Sequence, residues 1–202
     1  MEILSGLGLL LGESWAAGFN LYLTMAGLGI ADRMGFIDLP GRLDILSNPL
    51  VIAVAIILFV IEFAADKIPY VDSAWDSFHT VIRPLGGGLM AYMATSNFDP
   101  SIQYSAAMIG GVVSMESHLT KATTRAAINT SPEPITNTVA SVTEDATVVG
   151  LLWLIINYPV IATFAAIAFI VCGVVILKLL FKFLKKVIRF LGGKESGDNS
   201  RE

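Results

Sequence analysis

The chain has 202 residues, of which 54% are hydrophobic and only 15% charged, and its formal net charge is -4. This length suits one helical bundle rather than two domains, and a mean hydropathy of +0.70 predicts that most helices lie in lipid. The acidic balance excludes a nucleic-acid partner, because the phosphate backbone requires a basic face. The single cysteine, Cys172, excludes a disulfide framework and a CxxC metal or redox site.

The first third of the chain contains three apolar segments. The first, residues 3–17, is Gly-rich and shorter than the roughly 20 residues that cross a bilayer, so it is either a tilted span or a re-entrant piece. The first basic residue of the chain is Arg33, so the basic start that is typical of a cleaved signal peptide is missing. The second segment covers residues 20–37, and a loop with Pro49 at its end leads to the third, residues 50–65.

The remaining segments alternate with charged or proline-containing stretches. Residues 66–83 are amphipathic and predict an interfacial helix, and residues 191–202 have the composition of a disordered tail. Proline cannot continue a helix, so proline residues should open or end several segments. The further membrane segments are predicted over residues 84–96, 101–128, 137–156 and 160–180. The fold class is therefore all-α, a polytopic transmembrane helical bundle of six to seven segments within residues 1–190.

The distribution of lysine and arginine predicts the orientation of the chain. Most basic residues follow the last segment or fall on the same side of the membrane as that tail, which leaves only Arg33 and Arg42 on the other side. Because cytoplasmic loops carry the excess of lysine and arginine, we expect the C-terminus in the cytoplasm.

Ionisable residues recur at helical spacing in this apolar chain. The positions within 72–83 and those within 114–125 share the spacing i, i+4, i+7, i+11, which places each set on one helix face. Charges at membrane depth are costly and usually mark a functional pathway. We predict that one substrate or ion pathway is formed by Glu62, Asp66, Asp72, Asp76, His79, Arg83, His118, Lys121, Arg125, Asn137, Glu144 and Asp145.

Each of these residues also has a structural interpretation. Adjacent carboxylates such as Glu144 and Asp145 point about 100° apart on a helix, so they cannot both face lipid cheaply. A histidine side chain ordinarily titrates near neutrality, so His118 suits a proton relay, or it is a hydrogen-bonded packing residue. Lys121 and Arg125 can snorkel to the membrane surface. The whole set can also be a buried salt-bridge network that only fixes helix register.

Other patterns carry less chemistry. The glycine runs at residues 86–88 and 110–111 are typical of close helix packing. No GxGxxG, P-loop, HExxH or GxSxG motif is present, and the spacing of the two histidines is not diagnostic of a metal site, so we predict no cofactor and no metal. Residues 20–27 and 137–144, and residues 49–59 and 159–169, hint at a duplicated triplet of segments, which is common in transporters.

Four stretches carry a family resemblance. The sequences EFAADKIPYVDSAWDSFHTVIRP at 62–84, HLTKATTR at 118–125 and NTSPEPITN at 129–137, with the pair Glu144-Asp145, resemble an uncharacterised polytopic membrane family catalogued as domain of unknown function 4126. The likeness covers roughly residues 12 to 180. It implies a multi-pass protein of the bacterial inner membrane, and it implies no particular reaction.

We interpret the chain as a small transporter or permease whose charged site is open to the cytoplasm. The carboxylates at 62, 144 and 145 and His118 would carry protons or cations, and Lys121 and Arg125 would be charge partners or anion ligands. Asn20 and Asn137 would orient the substrate or cap helices. The expected partners are the lipid bilayer and a small solute or ion, and homo-oligomer formation is left open.

Two other classes of function fit the same residues. A membrane-embedded enzyme acting on lipid headgroups would use Asp72, Asp76 and His79 for acid–base chemistry at the interface. A non-catalytic membrane scaffold would need the charges for assembly alone. An enzyme is the less favoured of these interpretations.

Overall fold

The computed structural model describes residues 2–128 and 134–195 of the chain. Within these residues the chain is helical throughout its regular structure, which confirms the prediction of an all-α helical bundle. A short 3-10 helix, Gly41–Ser47, links the second and third α-helices. The α-helices are α1 Glu2–Phe19, α2 Leu21–Arg33, α3 Pro49–Ala65, α4 Pro69–Ala94, α5 Pro100–Ile128, α6 Pro134–Asn157 and α7 Pro159–Glu195.

Proline opens each of the last five α-helices. The first helical position has no intrahelical partner for its N–H, so proline costs nothing there, and its fixed φ already suits the helix. The prolines at these positions are Pro49, Pro69, Pro100, Pro134 and Pro159. The sequence breaks at proline therefore mark helix starts.

Two of the described helices are long and apolar enough to cross a membrane, over Ile135–Asn157 and Pro159–Lys182. A third candidate arises if Gly41–Ser47 and α3, which meet at 69°, count as one bent span. Large apolar side chains also cover the outside of the bundle, as Leu50, Met108 and Phe164 illustrate. These features are compatible with a membrane protein. The count of six to seven crossings stays a prediction.

Helix α4 differs from the predicted division into an interfacial helix over 66–83 and a segment over 84–96. It runs without interruption through Pro84. In apolar surroundings a helix is the best way to satisfy the remaining backbone groups, even where a proline removes one hydrogen bond. Ser114 Oγ donates to the carbonyl oxygen of Arg83 at 2.8 Å, which fixes this part of α4 against α5.

Helix α7 is also longer than its predicted segment over 160–180. It continues to Glu195, and so enters the first part of the predicted tail over residues 191–202. The rest of that tail, residues 196–202, lies outside the described residues, as does the stretch 129–133.

Helices α1 and α2 form a V with Asn20 at its apex. Asn20 has the extended backbone angles φ -148° and ψ 97° and breaks the helical path. A Cβ on Gly12 would lie 2.8 Å from Ile155, and a Cβ on Gly27 would lie 2.6 Å from Leu152, within the same turn of α6. A continuous helix would hold Gly12 and Gly27 about 22 Å apart, so the chain must double back between them. The first segment is therefore one arm of a helical hairpin, and whether it spans the membrane or re-enters stays a prediction.

The bundle has two ends, which are named here by the connections they carry. The lower end holds the turn between α3 and α4, residues 65–69, and the C-terminus of α5. The upper end holds the turn from α4 to α5, residues 94–100, and the junction of α6 with α7. Both arms of the V begin or finish towards the upper end, since Gly8 packs on Pro159, and its apex points towards the lower end.

Helix α1 lies at the centre of the bundle. It contacts α2, α4, α5, α6 and α7. Small residues permit this close approach: a Cβ on Gly18 would overlap the side chain of Ser117. On an adjacent face, the Trp15 ring stacks on Phe19 and Phe169 with centroid separations of 4.3 and 4.6 Å. The first arm of the V is thus packed against five other helices.

Candidate functional site

Three basic side chains form the centre of the candidate site. Arg83 of α4 and Lys121 and Arg125 of α5 are all between 0% and 2% exposed. Helices α4 and α5 pack antiparallel, and helical spacing places these side chains on facing sides of the two helices, from the middle of the bundle at Arg83 towards the lower end at Arg125. A buried cation requires a carboxylate or a carbonyl partner.

Arg83 is held by three elements. Its Nη2 atom lies 2.6 Å from Glu62 Oε1 of α3, and its Nη1 atom lies 3.5 Å from Asp76 of α4. The same Nη1 donates to the carbonyl oxygen of Gly18 at 3.2 Å. Gly18 is in the last turn of α1, where carbonyl groups lack helical partners and the helix dipole favours a cation. The V therefore contributes directly to the binding of Arg83.

Lys121 is surrounded by carboxylates from two further helices. Its Nζ atom lies 2.8 Å from Asp66 Oδ2, 3.5 Å from Glu62 Oε1 and 3.6 Å from Glu144 Oε2. Asp66 caps the end of α3 and Glu144 is on α6. The position of Lys121 is incompatible with snorkelling, because its side chain is directed into the bundle.

Arg125 connects the same carboxylates to the lower end. It lies 3.1 Å from Glu144, 3.4 Å from Asp66 and 3.8 Å from Asp72. Its Nη1 atom also donates to the backbone and side-chain oxygens of Asn137 at 3.0 and 3.3 Å. Asn137 thereby fixes the first turns of α6 against α5.

His118 belongs to the network as a hydrogen-bond acceptor. Its Nδ1 atom lies 2.9 Å from Arg83 Nη1, and a guanidinium only donates, so Nδ1 accepts. The imidazole Nε2 then donates to Thr80 Oγ1 at 3.1 Å, and Thr80 donates on to the carbonyl oxygen of Asp76. The lone pair that a proton relay would need is thus occupied by Arg83.

His79 lies beside the network rather than within it. Its Nδ1 atom donates to the carbonyl oxygen of Trp75 at 2.8 Å, and its Nε2 atom accepts from Tyr22 at 2.9 Å. The Trp75 ring stacks on the imidazole with centroids 4.6 Å apart. These contacts link α4 to α2 and orient His79 away from the ion pairs.

Asp145 and Glu144 diverge as their adjacency predicts. Glu144 faces Lys121 and Arg125, while Asp145 Oδ1 accepts from the side-chain amide of Asn20 at 2.9 Å. Asn20 is also the N-cap of α2 and accepts from the N–H of Leu23. The apex of the V is therefore tied to α6 by the second carboxylate of the pair.

The site contains more carboxylates than cations. The site has three basic side chains and two histidines, and each histidine donates from one ring nitrogen and accepts at the other. Six carboxylates surround them: Glu62, Asp66, Asp72, Asp76, Glu144 and Asp145. Several buried oxygens accept no hydrogen bond from the described residues: Glu62 Oε2, Asp66 Oδ1, both Asp76 carboxylate oxygens and Asp145 Oδ2. An excess of buried negative charge requires protons or bound cations to balance it.

Two cavities reach this network from different sides. The first, of about 390 Å³, lies between α1, α5, α6 and α7 and is called the lateral cavity; Lys121 and Glu144 form its charged wall. The second, of about 180 Å³, lies between α4 and α5 and is called the polar cleft; Asp76, Thr80 and Arg125 are in its wall. A groove of about 690 Å³ on the outer face of α4 and α5 contacts no network residue.

A family model described as "Domain of unknown function (DUF4126)" matches residues 7–179. The chain belongs to this family. The matched range contains all twelve residues of the predicted pathway, all of α2, and α1 from residue 7 onwards. No curated protein and no solved structure matches the chain.

The predicted pathway residues of this DUF4126 chain meet in one region, with two qualifications. Ten of them are joined by the ion pairs and hydrogen bonds around Arg83, Lys121 and Arg125. His79 and Asp145 are bonded instead to α2 and to the V apex. Whether the set serves transport stays a prediction.

Sequence reasoning missed one ionisable residue of this DUF4126 chain. Glu13 of α1 is fully buried, and neither of its carboxylate oxygens has a hydrogen-bond partner among the described residues. It lies on the same face of α1 as Asn20, about two turns closer to the upper end. An isolated glutamate in the short apolar segment 3–17 was the available signal, and the apolar content of the segment masked it.

Among the described residues, no group of three or more His, Cys, Asp or Glu side chains is arranged to hold a metal ion. The carboxylates of the network are interleaved with basic groups, so they face cations instead of a common centre, and Asp145 faces the side-chain amide of Asn20. Ion pairs of this kind can take up or release a proton or a cation when they rearrange.

Proposed function

We propose that the chain is a small permease of the bacterial inner membrane, with the lower end and the C-terminus facing the cytoplasm. The observation that carries this proposal is a buried network with excess carboxylates that two separate cavities reach. A network that only fixed helix register would need neither the surplus of negative charge nor an approach for ligands.

Glu144 is the carboxylate best suited to change partners. Its side chain is 12% exposed, whereas Glu62 and Asp66 are 0% and 2% exposed. It bridges Lys121 and Arg125 and also lines the lateral cavity. A proton or a cation bound to Glu144 would weaken its hold on both basic residues and free them to move.

The V supplies an element that can respond to such a change. Its apex presents the Gly18 carbonyl to Arg83 and the Asn20 amide to Asp145. Broken helices whose ends face an ion site are a recurrent feature of secondary transporters, because the half-helix dipoles stabilise bound charge. Rearrangement of the ion pairs would thus change the contacts that hold the V at the centre of the bundle.

The orientation rests on the basic residues. Lys67, Lys121 and Arg125 are in the lower half of the bundle, while Arg33 and Arg42 are near the upper end. The positive-inside rule then assigns the lower end to the cytoplasm. The polar cleft between α4 and α5 would be the cytoplasmic approach for protons or cations.

An enzyme acting on lipid headgroups is less well supported. Asp72, Asp76 and His79 are at most 5% exposed and point into the bundle, so they do not present acid–base groups to the membrane surface. No structural feature of the described residues favours that function over transport.

The decisive experiment reconstitutes the full chain into proteoliposomes that contain a pH-sensitive dye and adds a broad panel of solutes. We expect at least one solute to enter and to alter internal pH or be driven by a cation gradient. Glu144→Gln and Asp145→Asn should each abolish this flux. Asp99→Asn, which neutralises an exposed acidic residue near the start of α5, is the matched control and should leave it intact.

The result that contradicts the proposal is equally defined. Absence of flux across the panel, or flux indifferent to both network substitutions, would overturn the permease. If the two variants instead fail to assemble while nothing is transported, the network is a structural scaffold.

A further inference from the structure

The lateral cavity has a wall chemistry that the ion-pair network alone does not explain. Its volume of about 390 Å³ falls within the range of small-molecule binding sites, which is about 300 to 1,000 Å³. One side is aromatic, with Trp15, Phe19 and Phe169. This patch extends the stacked aromatic cluster at the centre of the bundle.

The opposite side of the lateral cavity is lined with hydroxyl groups. Thr120 and Thr124 of α5 face Thr143 and Thr147 of α6 across the opening. Thr143 and Thr147 donate to backbone carbonyls one turn earlier, so their oxygens remain acceptors towards the cavity. Hydroxyl lone pairs and aromatic faces both stabilise positive charge, so this cavity suits a partly apolar cation, with or without N–H groups to donate.

The charged end of the cavity is formed by Lys121 and Glu144, and these two are not equivalent. Lys121 already has three carboxylates within 3.6 Å, and an anionic ligand would have to displace them. Glu144 is the most exposed carboxylate of the ion pairs, and it belongs to a network with surplus negative charge. The electrostatic field at this end therefore attracts a positive group.

We propose that the lateral cavity binds an amphipathic organic cation, an amine or a quaternary ammonium with an apolar body. The cationic group lies against Glu144, and the apolar body lies on the surface formed by Trp15, Phe19 and Phe169. Cation–π attraction to these rings adds to the carboxylate contact. This inference rests on the proposed function in one respect: it names the substrate class of the permease.

The only cysteine of the chain supplies a direct test, because Cys172 lines the lateral cavity and is exposed. The experiment measures its reaction rates in detergent micelles with a cationic and an anionic methanethiosulfonate reagent, each divided by the rate with a small free thiol. We expect the cationic reagent to be favoured about ten-fold or more, since a field of one sign concentrates the opposite charge. Equal normalised rates, or a preference for the anionic reagent, would overturn the inference.

Two variants assign the effect to the cavity and to Glu144. In Glu144→Gln the preference for the cationic reagent should fall to near unity, and a preserved preference would refute the role of Glu144. In Cys172→Ser with Val171→Cys, the thiol moves to the neighbouring position outside the cavity and the preference should be absent. A preference retained there would mean that general surface charge causes the effect and would overturn the inference.

Ligand protection completes the test and does not depend on any variant. Benzyltrimethylammonium should slow the reaction of Cys172 in a saturable manner, whereas benzyl alcohol and phenylacetate should not at the same concentration. Protection by phenylacetate or equal protection by all three would overturn the cationic class.

These results are distinguishable from those on transport. A cavity selective for cations in a chain without flux would retain this inference and overturn the permease. Uptake of an anionic solute that Glu144→Gln abolishes would do the reverse.

Discussion

Asn20 donates its side-chain amide to Asp145 at 2.9 Å, across 125 positions of sequence, while its Oδ1 atom accepts from the N–H of Leu23. One side chain thus ends a helix, begins the next and joins both to α6. The apex of the V is therefore held in place by this one side chain. Loss of the Asn20 side chain should therefore lower the free energy of unfolding before any effect on function is seen.

Asn20→Ala should reduce the free energy of unfolding by more than a simple cap. It removes an N-cap, worth about 1 kcal/mol, and leaves the half-buried Asp145 without its donor, which costs about a further 1 kcal/mol or more. Denaturant titration of the purified chain in mixed micelles measures the difference.

Asn48→Ala is the matched control for that experiment. Asn48 caps α3 by accepting from the N–H of Leu50, and that contact is exposed. We expect a loss of about 1 kcal/mol or less, because no buried partner is abandoned. Equal effects of the two substitutions would contradict the anchoring role of Asn20.

Arg83 and Glu62 should show strong energetic coupling. Replacement of either member alone, as Arg83→Met or Glu62→Gln, leaves a buried charge whose nearest remaining counter-charge is 3.5 Å away, and should cost up to about 3 to 5 kcal/mol. The double variant should be destabilised by clearly less than the sum of the two single variants. A double-mutant cycle on thermal or chemical unfolding checks this, and additive losses would show that the pair is not coupled.

The crossing of α4 and α5 depends on the absence of a side chain at Gly110. A Cβ there would lie 2.7 Å from Ala91 and 2.9 Å from the carbonyl oxygen of Gly87, so one of the two backbones must move. We expect Gly110→Ala to lower the midpoint of thermal unfolding.

Gly150→Ala should have the opposite sign. Nothing lies within 4 Å of a Cβ at Gly150, and alanine is favoured over glycine in a helix by about 1 kcal/mol. The two variants make the same chemical change in two helices. A similar response of both would contradict the close contact at Gly110.

The V also makes a topological prediction. Because the chain doubles back at Asn20, positions 4 and 34 should face the same side of the membrane, and position 67 should face the other. In a Cys172→Ser background, Leu4→Cys, Met34→Cys and Lys67→Cys can be labelled in turn with an impermeant maleimide on sealed vesicles. Labelling of positions 4 and 34 from opposite sides would show that α1 and α2 cross the membrane as one path.

Helical periodicity was sufficient to predict much of the site. Asp72, Asp76 and Arg83 on α4, and Lys121 and Arg125 on α5, share faces because the spacing of side chains around a helix is a local property. Their convergence followed from the cost of isolated charge in an apolar bundle. The partners of each cation were not predictable, because they depend on how the helices are offset along their axes.

The sequence was less informative where the chain changes direction. The sequence divides the segments 3–17 and 20–37 and offers Asn20 as a helix cap, but the reversal of direction there uses one non-helical residue and no proline, so neither periodicity nor a turn motif predicts it. At Pro84 the sequence predicts a boundary between two segments, because proline breaks helices, but α4 continues through it. Both outcomes depend on tertiary packing against α5 and α6, which a single sequence does not display.

The central position of α1 has a consequence for how the molecule is made. Helix α1 is translated before the five helices that surround it, and four of those five follow the V along the chain. Because Asp145 lies 125 positions after Asn20, the hydrogen bond between them forms only after much of α6 has been synthesised. The surroundings of α1 are therefore completed late, by helices that the ribosome adds after the V.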